Sequence, residues 1–299
     1  MFQPEDKYTR IEVCPICNSN SFHKKLDVKD HSISKENFTL EICSACSFVF
    51  TNPRPKNEFL NEYYKSEEYI SHSATRKGLI NKLYHFVQKS NLKKKYKAVS
   101  HIVPRGTWMD YGAGNGAFLN YLKGKKISSL GYEPDEDARK MGMAKGLTIS
   151  DSKNYNVGDT KYAAITMWHV LEHIPELNHI IQTHNSNLIE DGVLVIAVPN
   201  HLSYDSCYYK NFWAAYDVPR HLWHFTENDI LSLTSKHGFE HVKTKPMVFD
   251  SYYVSMLSEK YKNGNMIRGV LIGALSNLYA RVSGYPFSSQ IYVFRKKTI

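Results

Sequence analysis

Four cysteines of this 299-residue chain stand as two pairs, Cys14-Pro15-Ile16-Cys17 and Cys43-Ser44-Ala45-Cys46. Two thiolates three positions apart in a tight turn converge on one point, so a C-x2-C-x25-C-x2-C spacing can enclose a tetrahedral metal ion. Four thiolates leave no open coordination position, which points to a structural Zn2+. A segment of about 50 residues has too small a core to fold alone, and metal binding would supply the missing stability. The alternative is four reduced thiols without a ligand. Cys207 stands apart and reads as an inert thiol.

A second grouping is Asp110-Tyr111-Gly112-Ala113-Gly114-Asn115-Gly116. Its glycines let the backbone turn tightly and approach a ligand closely. The helix expected after it offers unpaired N–H groups to an anionic group. Glu133 follows 23 residues after Asp110, where a carboxylate can accept hydrogen bonds from both ribose hydroxyls of an adenosine. Two ligand classes fit. Gly112, Gly114 and Ala117 satisfy the dinucleotide pattern G-x-G-x-x-G/A. Asp110, Gly112, Gly114 and Gly116 satisfy the S-adenosylmethionine pattern (D/E)-x-G-x-G-x-G, with the acid placed to help hold the ligand's ammonium group. The mid-chain position of the loop, after a helical segment, favours the second pattern.

The elements that must position these residues fall into segments. Residues 1–55 carry both cysteine pairs and end at Asn52-Pro53-Arg54-Pro55. Residues 56–105 show apolar positions at Leu79, Leu83, Phe86, Val87, Leu92, Tyr96 and Val99, the 3–4 spacing of amphipathic helix, with a basic polar face. Residues 106–299 alternate strand and helix: strands are expected at Thr107–Tyr111, Ile127–Tyr132, Tyr162–Met167, Val193–Val198, Glu240–Lys245 and Gln290–Arg295. Helices are expected at Ala117–Lys123, Asp135–Lys145, Glu176–Leu188 and Thr226–His237, with Asp191-Gly192 as a turn. This predicts an α/β fold, a doubly wound, mostly parallel sheet whose ligands bind at the carboxyl ends of its strands. Residues 246–287 form a helical, aromatic-rich insert before the last strand.

From about Trp108 to Lys297 the chain resembles a class I S-adenosylmethionine-dependent methyltransferase, with a Rossmann-like seven-stranded sheet. The strings that carry the resemblance are Trp108–Gly116, Gly131-Tyr132-Glu133-Pro134, Trp168-His169-Val170-Leu171-Glu172-His173-Ile174 and Val193–Asn200. The resemblance implies that Asp110, Gly112, Ala113, Gly114, Asn115 and Gly116 hold the methionine part of the cofactor and that Glu133 and Pro134 hold the ribose. It places Asp151 beside the adenine, and Trp168 and His169 on the pocket wall. With the cysteine module, which looks like a zinc ribbon, and the Tyr-rich linker, nearly the whole chain resembles bacterial enzymes of sugar and cell-surface polysaccharide pathways, including deoxysugar C-methyltransferases. Those enzymes carry a catalytic Tyr-x-Glu-His string. The matching stretch here is Val218-Pro219-Arg220-His221, which keeps only the histidine and leaves transfer to oxygen, nitrogen or carbon open.

Methyl transfer needs the acceptor held in line, and a base only where the acceptor must lose a proton. His221 and His224 are the candidates for that base or for acceptor contact; the alternative is a hydrogen-bonded loop histidine. Arg220 suits a phosphate or carboxylate on the acceptor, or an internal pair with Asp217. His169, Glu172 and His173 are expected on one face of a helical turn, where they could hold a divalent metal, as in quinone-ring O-methyltransferases that the Glu-His string resembles, or brace the pocket. Tyr64 and Tyr69 are candidates for a lid over cofactor and acceptor, or for ordinary packing of the linker. The insert would cover the acceptor, and its Val270–Leu275 run would pack on the sheet or dip into a membrane surface.

Composition bounds these readings. Charged residues at 22% and hydrophobic ones at 42% fit a globular chain. No run of about 18 apolar residues predicts a membrane span, and the polar start shows no secretory signal, so a cytoplasmic location is expected. The net charge of +9 suggests an anionic partner, yet nine of the 38 basic residues lie in residues 69–109 with no acid among them, leaving 29 basic against 29 acidic elsewhere. The expected substrate is a small molecule or glycan precursor, not DNA. An RNA methyltransferase with a zinc module, or a non-catalytic cofactor-binding partner, are the competing functions; no Asn-Pro-Pro-Tyr-type string supports the former.

Overall fold

A computed structural model describes residues 7–64, 90–158 and 160–297. The N-terminal part is built from short antiparallel strands: β1 (Tyr8–Thr9), β2 (Phe22–Lys29), β3 (Asn37–Cys43), β4 (Val49–Thr51) and β5 (Arg54–Pro55). β2, β3 and β4 form a meander, and β1 pairs with β5. Alternation along β3 buries Phe38, Leu40 and, past a half-buried pair, Cys43. A fourth strand joins the meander from far along the chain, as Trp223–His224 pairs with Val49–Phe50. Phe48 packs on Trp223 and Phe225 across that junction, and all three rings are buried. Cys14, Cys43 and Phe48 consequently share one apolar cluster with Leu177, Ile230 and Leu233.

Residues 90–99 form a helix, α1. Its Leu92, Tyr96 and Val99 pack toward Trp108 and Phe118. Then follow β6 (Trp108–Tyr111), α2 (Ala117–Gly124), β7 (Ser129–Tyr132), α3 (Glu136–Met143), β8 (Ile149–Ser150), β9 (Tyr162–Trp168), α4 (Leu177–Asn187), β10 (Leu188–Pro199), α5 (Tyr204–Tyr209), β11 (Trp223–His224), α6 (Glu227–Lys236), β12 (Phe239–Pro246), α7 (Asp250–Tyr261), α8 (Met266–Val282) and β13 (Ser289–Lys296). Sequence-local signals set several of these limits. Asp135 caps α3 through the Ala138 N–H, and Thr226 and Asp229 form a reciprocal capping box at α6.

Seven strands make one sheet in the order β12-β13-β10-β9-β6-β7-β8. All run parallel except β13, which is antiparallel to both neighbours. The doubly wound α/β sheet is as expected. Val193–Val198 lies fully buried at its centre, which is why that stretch reads as a continuous apolar run. The winding reverses between β6 and β9, so a crevice opens at their carboxyl ends, where Asp110 and Trp168 sit. No helix among the described residues is long and apolar enough to cross a membrane.

Two local expectations are corrected. Asp191-Gly192 is not a turn before a strand: β10 already begins at Leu188 and absorbs Asp191, at φ 59°, as a register irregularity. Residues 169–173 are not a helical face. Leu171–His173 is a single 3-10 turn preceded by His169 at φ 59°, which sends His169 and His173 to different surroundings.

Candidate functional site

The cysteine pairs form two matching knuckles. In the first, the Asn18 N–H bonds back to the Cys14 carbonyl and the Cys14 N–H bonds forward to Ser19; in the second, Ser47 bonds to Cys43, and Cys43 to Phe48. Each turn closes on a residue of positive φ, Asn18 at 62° and Ser47 at 64°. The Sγ atoms of Cys14 and Cys46 are 3.6 Å apart, those of Cys17 and Cys43 3.5 Å, and all four lie within 4.8 Å of one another. Zinc–sulfur bonds of about 2.3 Å in a tetrahedron imply sulfur separations of about 3.8 Å, close to these values.

The crevice at β6 is built around a buried carboxylate. Asp110 lies opposite Thr166 of β9 and accepts its hydroxyl at 2.5 Å. Burial pushes the Asp110 carboxyl up to about 7, against the opposing pull of Thr166 and of Lys95 on α1. Gly112 takes φ 74° directly after β6, and a Cβ there would meet Val170 at 2.4 Å. Gly114 takes φ 53° with nothing within 4 Å of where its Cβ would stand, so its backbone lies bare on that side. Its N–H donates to Glu133 Oε2 at 2.8 Å, and Asp135 N–H to Oε1 at 3.0 Å. Burial raises the Glu133 carboxyl, partly offset by these two donors. Arg139 holds the carbonyls of Glu133 and Pro134 at 2.7 Å each and pairs with Asp151 at 3.3 Å. Trp168 packs edge-on to Phe118, lies under Lys95 Nζ at 4.6 Å, and keeps a buried indole N–H without an acceptor among the described residues.

Next to this crevice a second group gathers residues from three parts of the chain. Glu172 is 1% exposed, and neither of its oxygens has a donor in bonding geometry among the described residues. Around it stand His169 Nδ1 at 3.5 Å and His221 Nε2 at 4.0 Å. Burial alone would raise the Glu172 carboxyl; the imidazoles of His169, His221 and His173 outweigh it and hold the group low. His221 donates from Nδ1 to the Ala215 carbonyl at 2.8 Å, which fixes its tautomer and turns Nε2 toward Glu172 and toward Asp217, 3.7 Å away. His173 donates from Nδ1 to the Arg220 carbonyl at 3.0 Å, with the Tyr64 hydroxyl at 3.0 Å from the same nitrogen. Burial and His221 push His173 down to about 4, so it stands neutral. Arg220 pairs with Asp217 and outweighs burial to keep that carboxyl low.

Comparison with known families decides the class. Residues 81–244, more than half of the chain, match the family described as "Methyltransferase domain". The chain belongs to this methyltransferase family and is an S-adenosylmethionine-dependent enzyme. No curated protein matches the methyltransferase. Among solved structures, a mycolic acid cyclopropane synthase complexed with SAH is similar at 12% identity and TM-score 0.50, over 70% of this chain and 85% of its own. An S-adenosylmethionine-dependent methyltransferase from Archaeoglobus fulgidus is similar at 17% identity and TM-score 0.49, over 70% of this chain and 94% of its own. At these identities the likeness concerns the fold.

Within the methyltransferase, the expected site residues divide. Asp110, the glycine loop, Glu133, Pro134 and Trp168 lie at or just past the carboxyl ends of β6, β7 and β9, and Asp151 joins Glu133 and Pro134 through Arg139. Tyr64, His173, Arg220 and His221 meet in the adjoining cluster. His169 faces Asp250 at 2.9 Å and Glu172; it is outside the Glu172–His173–His221 set, whose ligand atoms lie within 4.8 Å of one another, so the residues grouped as a possible metal set differ from the His169, Glu172 and His173 that the sequence offered as one of two readings. His224 lies on β11, 4% exposed, with Nε2 3.2 Å from the Thr51 hydroxyl. Tyr69 lies outside the described residues. The pairing of Asp217 with Arg220 is one of the two alternatives the sequence offered. Two residues escaped the sequence reading. Asp250 carries no local signal, since its partner His169 lies 81 residues earlier in the chain. Lys95 had one: its spacing from Leu92 and Val99 puts it on the packed face of α1 rather than among the solvent-facing lysines.

Proposed function

We propose that the enzyme methylates a small hydroxyl-rich acceptor, a sugar, nucleotide sugar or related glycan precursor. In this reading the methyl goes to an oxygen, with nitrogen and carbon as the other options, and His221 takes the acceptor's proton. The observation that carries it is the His221 imidazole, locked by the Ala215 carbonyl with Nε2 turned to two carboxylates, Glu172 and Asp217. A ring so held can receive a proton and be stabilised as a cation. Neutral His173, Tyr64 and Arg220 then supply hydrogen bonds that fix the orientation of a polyhydroxyl acceptor.

The crevice residues suit S-adenosylmethionine. The bare side of Gly114 admits a close ligand, Trp168 offers an unsatisfied N–H, and Glu133 holds a carboxylate at the end of β7 where a ribose would meet it. When bound, that cofactor supplies an electrophilic methyl group on a sulfonium sulfur. Asp110 and the loop of Gly112, Ala113, Gly114, Asn115 and Gly116 would hold its methionine end. Glu133 and Pro134 would hold the ribose, with Asp151 toward the base.

We also infer a structural Zn2+ on Cys14, Cys17, Cys43 and Cys46, supported by the sulfur spacing and the twin knuckles. Domain limits of 1–55, 56–105 and 106–299 remain our working division, with residues 246–287 over the acceptor side. A second reading of the catalytic cluster has one observation in its favour. Glu172 has two unpartnered oxygens, and His173 and His221 both have Nδ1 fixed on carbonyls, which is how metal-binding imidazoles are oriented. A divalent ion there would polarise the acceptor oxygen.

The test supplies methyl-labelled S-adenosylmethionine with a panel of nucleotide sugars and, separately, with total RNA. Label in a sugar-bearing product, insensitive to added Mg2+ or Mn2+, supports the acid–base reading. Stimulation by the ion moves the mechanism to the metal reading, and label only in RNA overturns the acceptor class.

A further inference from the structure

We propose that the α7–α8 hairpin is a docking surface for an anionic lipid bilayer, with α8 lying in the plane of the headgroups. The polarity of α8 is inside out. α8 turns Gly269, Ile272, Gly273, Ser276 and Asn277 inward. Its large apolar side chains, Ile267, Val270, Leu271, Leu275, Leu278 and Val282, face outward, with Ile267 70%, Leu271 60% and Val282 69% exposed. Positions 267, 271, 275, 278 and 282 recur every three or four residues, so they make one continuous stripe rather than scattered exposures.

The inner side explains how the hairpin holds together without those side chains. A Cβ on Gly269 would stand 2.6 Å from Met256 Cα, and one on Gly273 would stand 2.7 Å from Tyr252 Cα, so only glycine lets the two helices approach this closely. Around that contact the bonds are polar. Ser251 donates to the Gly273 carbonyl at 3.1 Å, Asn277 donates to Ser251 Oγ at 2.7 Å, and Ser276 donates to Asp205 at 2.7 Å. Small residues four apart and hydrogen-bonded hydroxyls between helices, with large apolar residues outside, are how helices pack where the surroundings are themselves apolar.

Charge identifies those surroundings. Residues 260–287 contain Lys260, Lys262, Arg268 and Arg281 and no aspartate or glutamate. Arg281 flanks the stripe near its C-terminal end and carries a long stem that can lie along it with its head at the headgroups. Arg268, near the other end, pairs with Glu259 at 3.4 Å and with the Tyr208 hydroxyl, and Glu259 itself is buried. Tyr253 is 65% exposed beside the hairpin, and Tyr285 follows α8; tyrosine favours the same boundary. Two copies meeting through this face would bring like charges together, which disfavours a second chain as the occupant. α8 has 17 residues and two arginines, and crosses nothing, which leaves the in-plane orientation. This inference does not depend on which acceptor is methylated.

The experiment is co-sedimentation of the full-length protein with vesicles of phosphatidylcholine alone or with about one-third phosphatidylglycerol. It compares the wild type with the triple variant Ile267→Gln, Leu271→Gln and Leu278→Gln, and with Arg281→Glu. We expect the wild type to pellet with the anionic vesicles, less so at high salt, and the triple variant to lose more than about tenfold in partitioning because three apolar side chains are removed. Equal melting temperatures would show that the exposed substitutions leave the fold intact; a triple variant that fails to fold leaves Arg281→Glu as the deciding protein. Absence of wild-type binding to either vesicle overturns the proposal. Self-association that both variants abolish, without vesicle binding, would assign the face to a second copy instead.

Discussion

His169 Nε2 lies 2.9 Å from Asp250 Oδ2, and the same imidazole lies 3.5 Å from Glu172 through Nδ1. One ring thus joins the first turn of α7 to the end of β9, and so ties the insert to the floor of the crevice. Burial would lower the imidazole, but Asp250 and Glu172 together raise it to about 9. A histidine whose folded pKa exceeds its unfolded value of about 6.5 contributes stability fully present below that value and lost as pH rises through the folded pKa. The wild type should therefore lose melting temperature between pH 7 and 9.5 more steeply than Asp250→Asn. Parallel curves for the two proteins would show that the pair does not link insert and sheet.

His221→Asn keeps a polar side chain but removes the proton acceptor. It should lower kcat by about 100- to 10,000-fold, the usual range for losing a general base, while leaving cofactor affinity unchanged by calorimetry. A loss confined to KM would instead make His221 an acceptor-binding residue.

Zinc should be found at one equivalent per chain by atomic emission. Chelation, or Cys17→Ser, should lower the melting temperature by several degrees or more, because the ion's binding energy is folding energy for a small module. Cys14 and Cys43 are buried in a cluster shared with Leu177 and Leu233, so the loss should reach the α4–α6 side of the main sheet as well. Hydrogen exchange that accelerates only in residues 7–55 would show the two parts to be energetically separate.

Acid should destabilise the protein through histidines buried as neutral rings. His184 donates or accepts at Nδ1 with Tyr155, 2.7 Å away, and burial pushes it down to about 3; burial does the same to His201, whose ring nitrogens have no partner among the described residues. The unfolded chain binds these protons below pH 6.5 and the folded one does not, so stability falls with pH by about 1.4 kcal/mol per unit for each such ring. Urea midpoints at pH 6.5 and 5.0 check this, and His184→Gln should flatten the difference.

The sheet was legible because its strands are local facts. Val193–Val198 is apolar throughout since it is buried on both faces, and Asp110 with its glycines needs only the chain's own neighbours to define a ligand loop. The cluster around Glu172 was half legible. His221 was visible as a histidine in a suggestive string, but its meeting with Glu172 comes with the Leu222 N–H bonding the Glu172 carbonyl, a contact between residues 50 apart that no short window of sequence contains. The turn at residues 169–173 misled because a positive φ at His169 breaks helical phase, and histidine does not announce that conformation. Asp250 was hidden because a single acid gains a role only from what folds against it, here His169 from the end of β9.

The central claim, that Asp110 and Glu133 frame the cofactor crevice, is tested most directly by calorimetric titration of S-adenosylmethionine into the wild type, Asp110→Ala and Glu133→Ala. Glu133→Ala should bind at least about tenfold more weakly, the loss expected for hydrogen bonds to a charged group, and Asp110→Ala should weaken binding in the same direction. Unchanged affinity in both variants, with both proteins folded, would contradict the account.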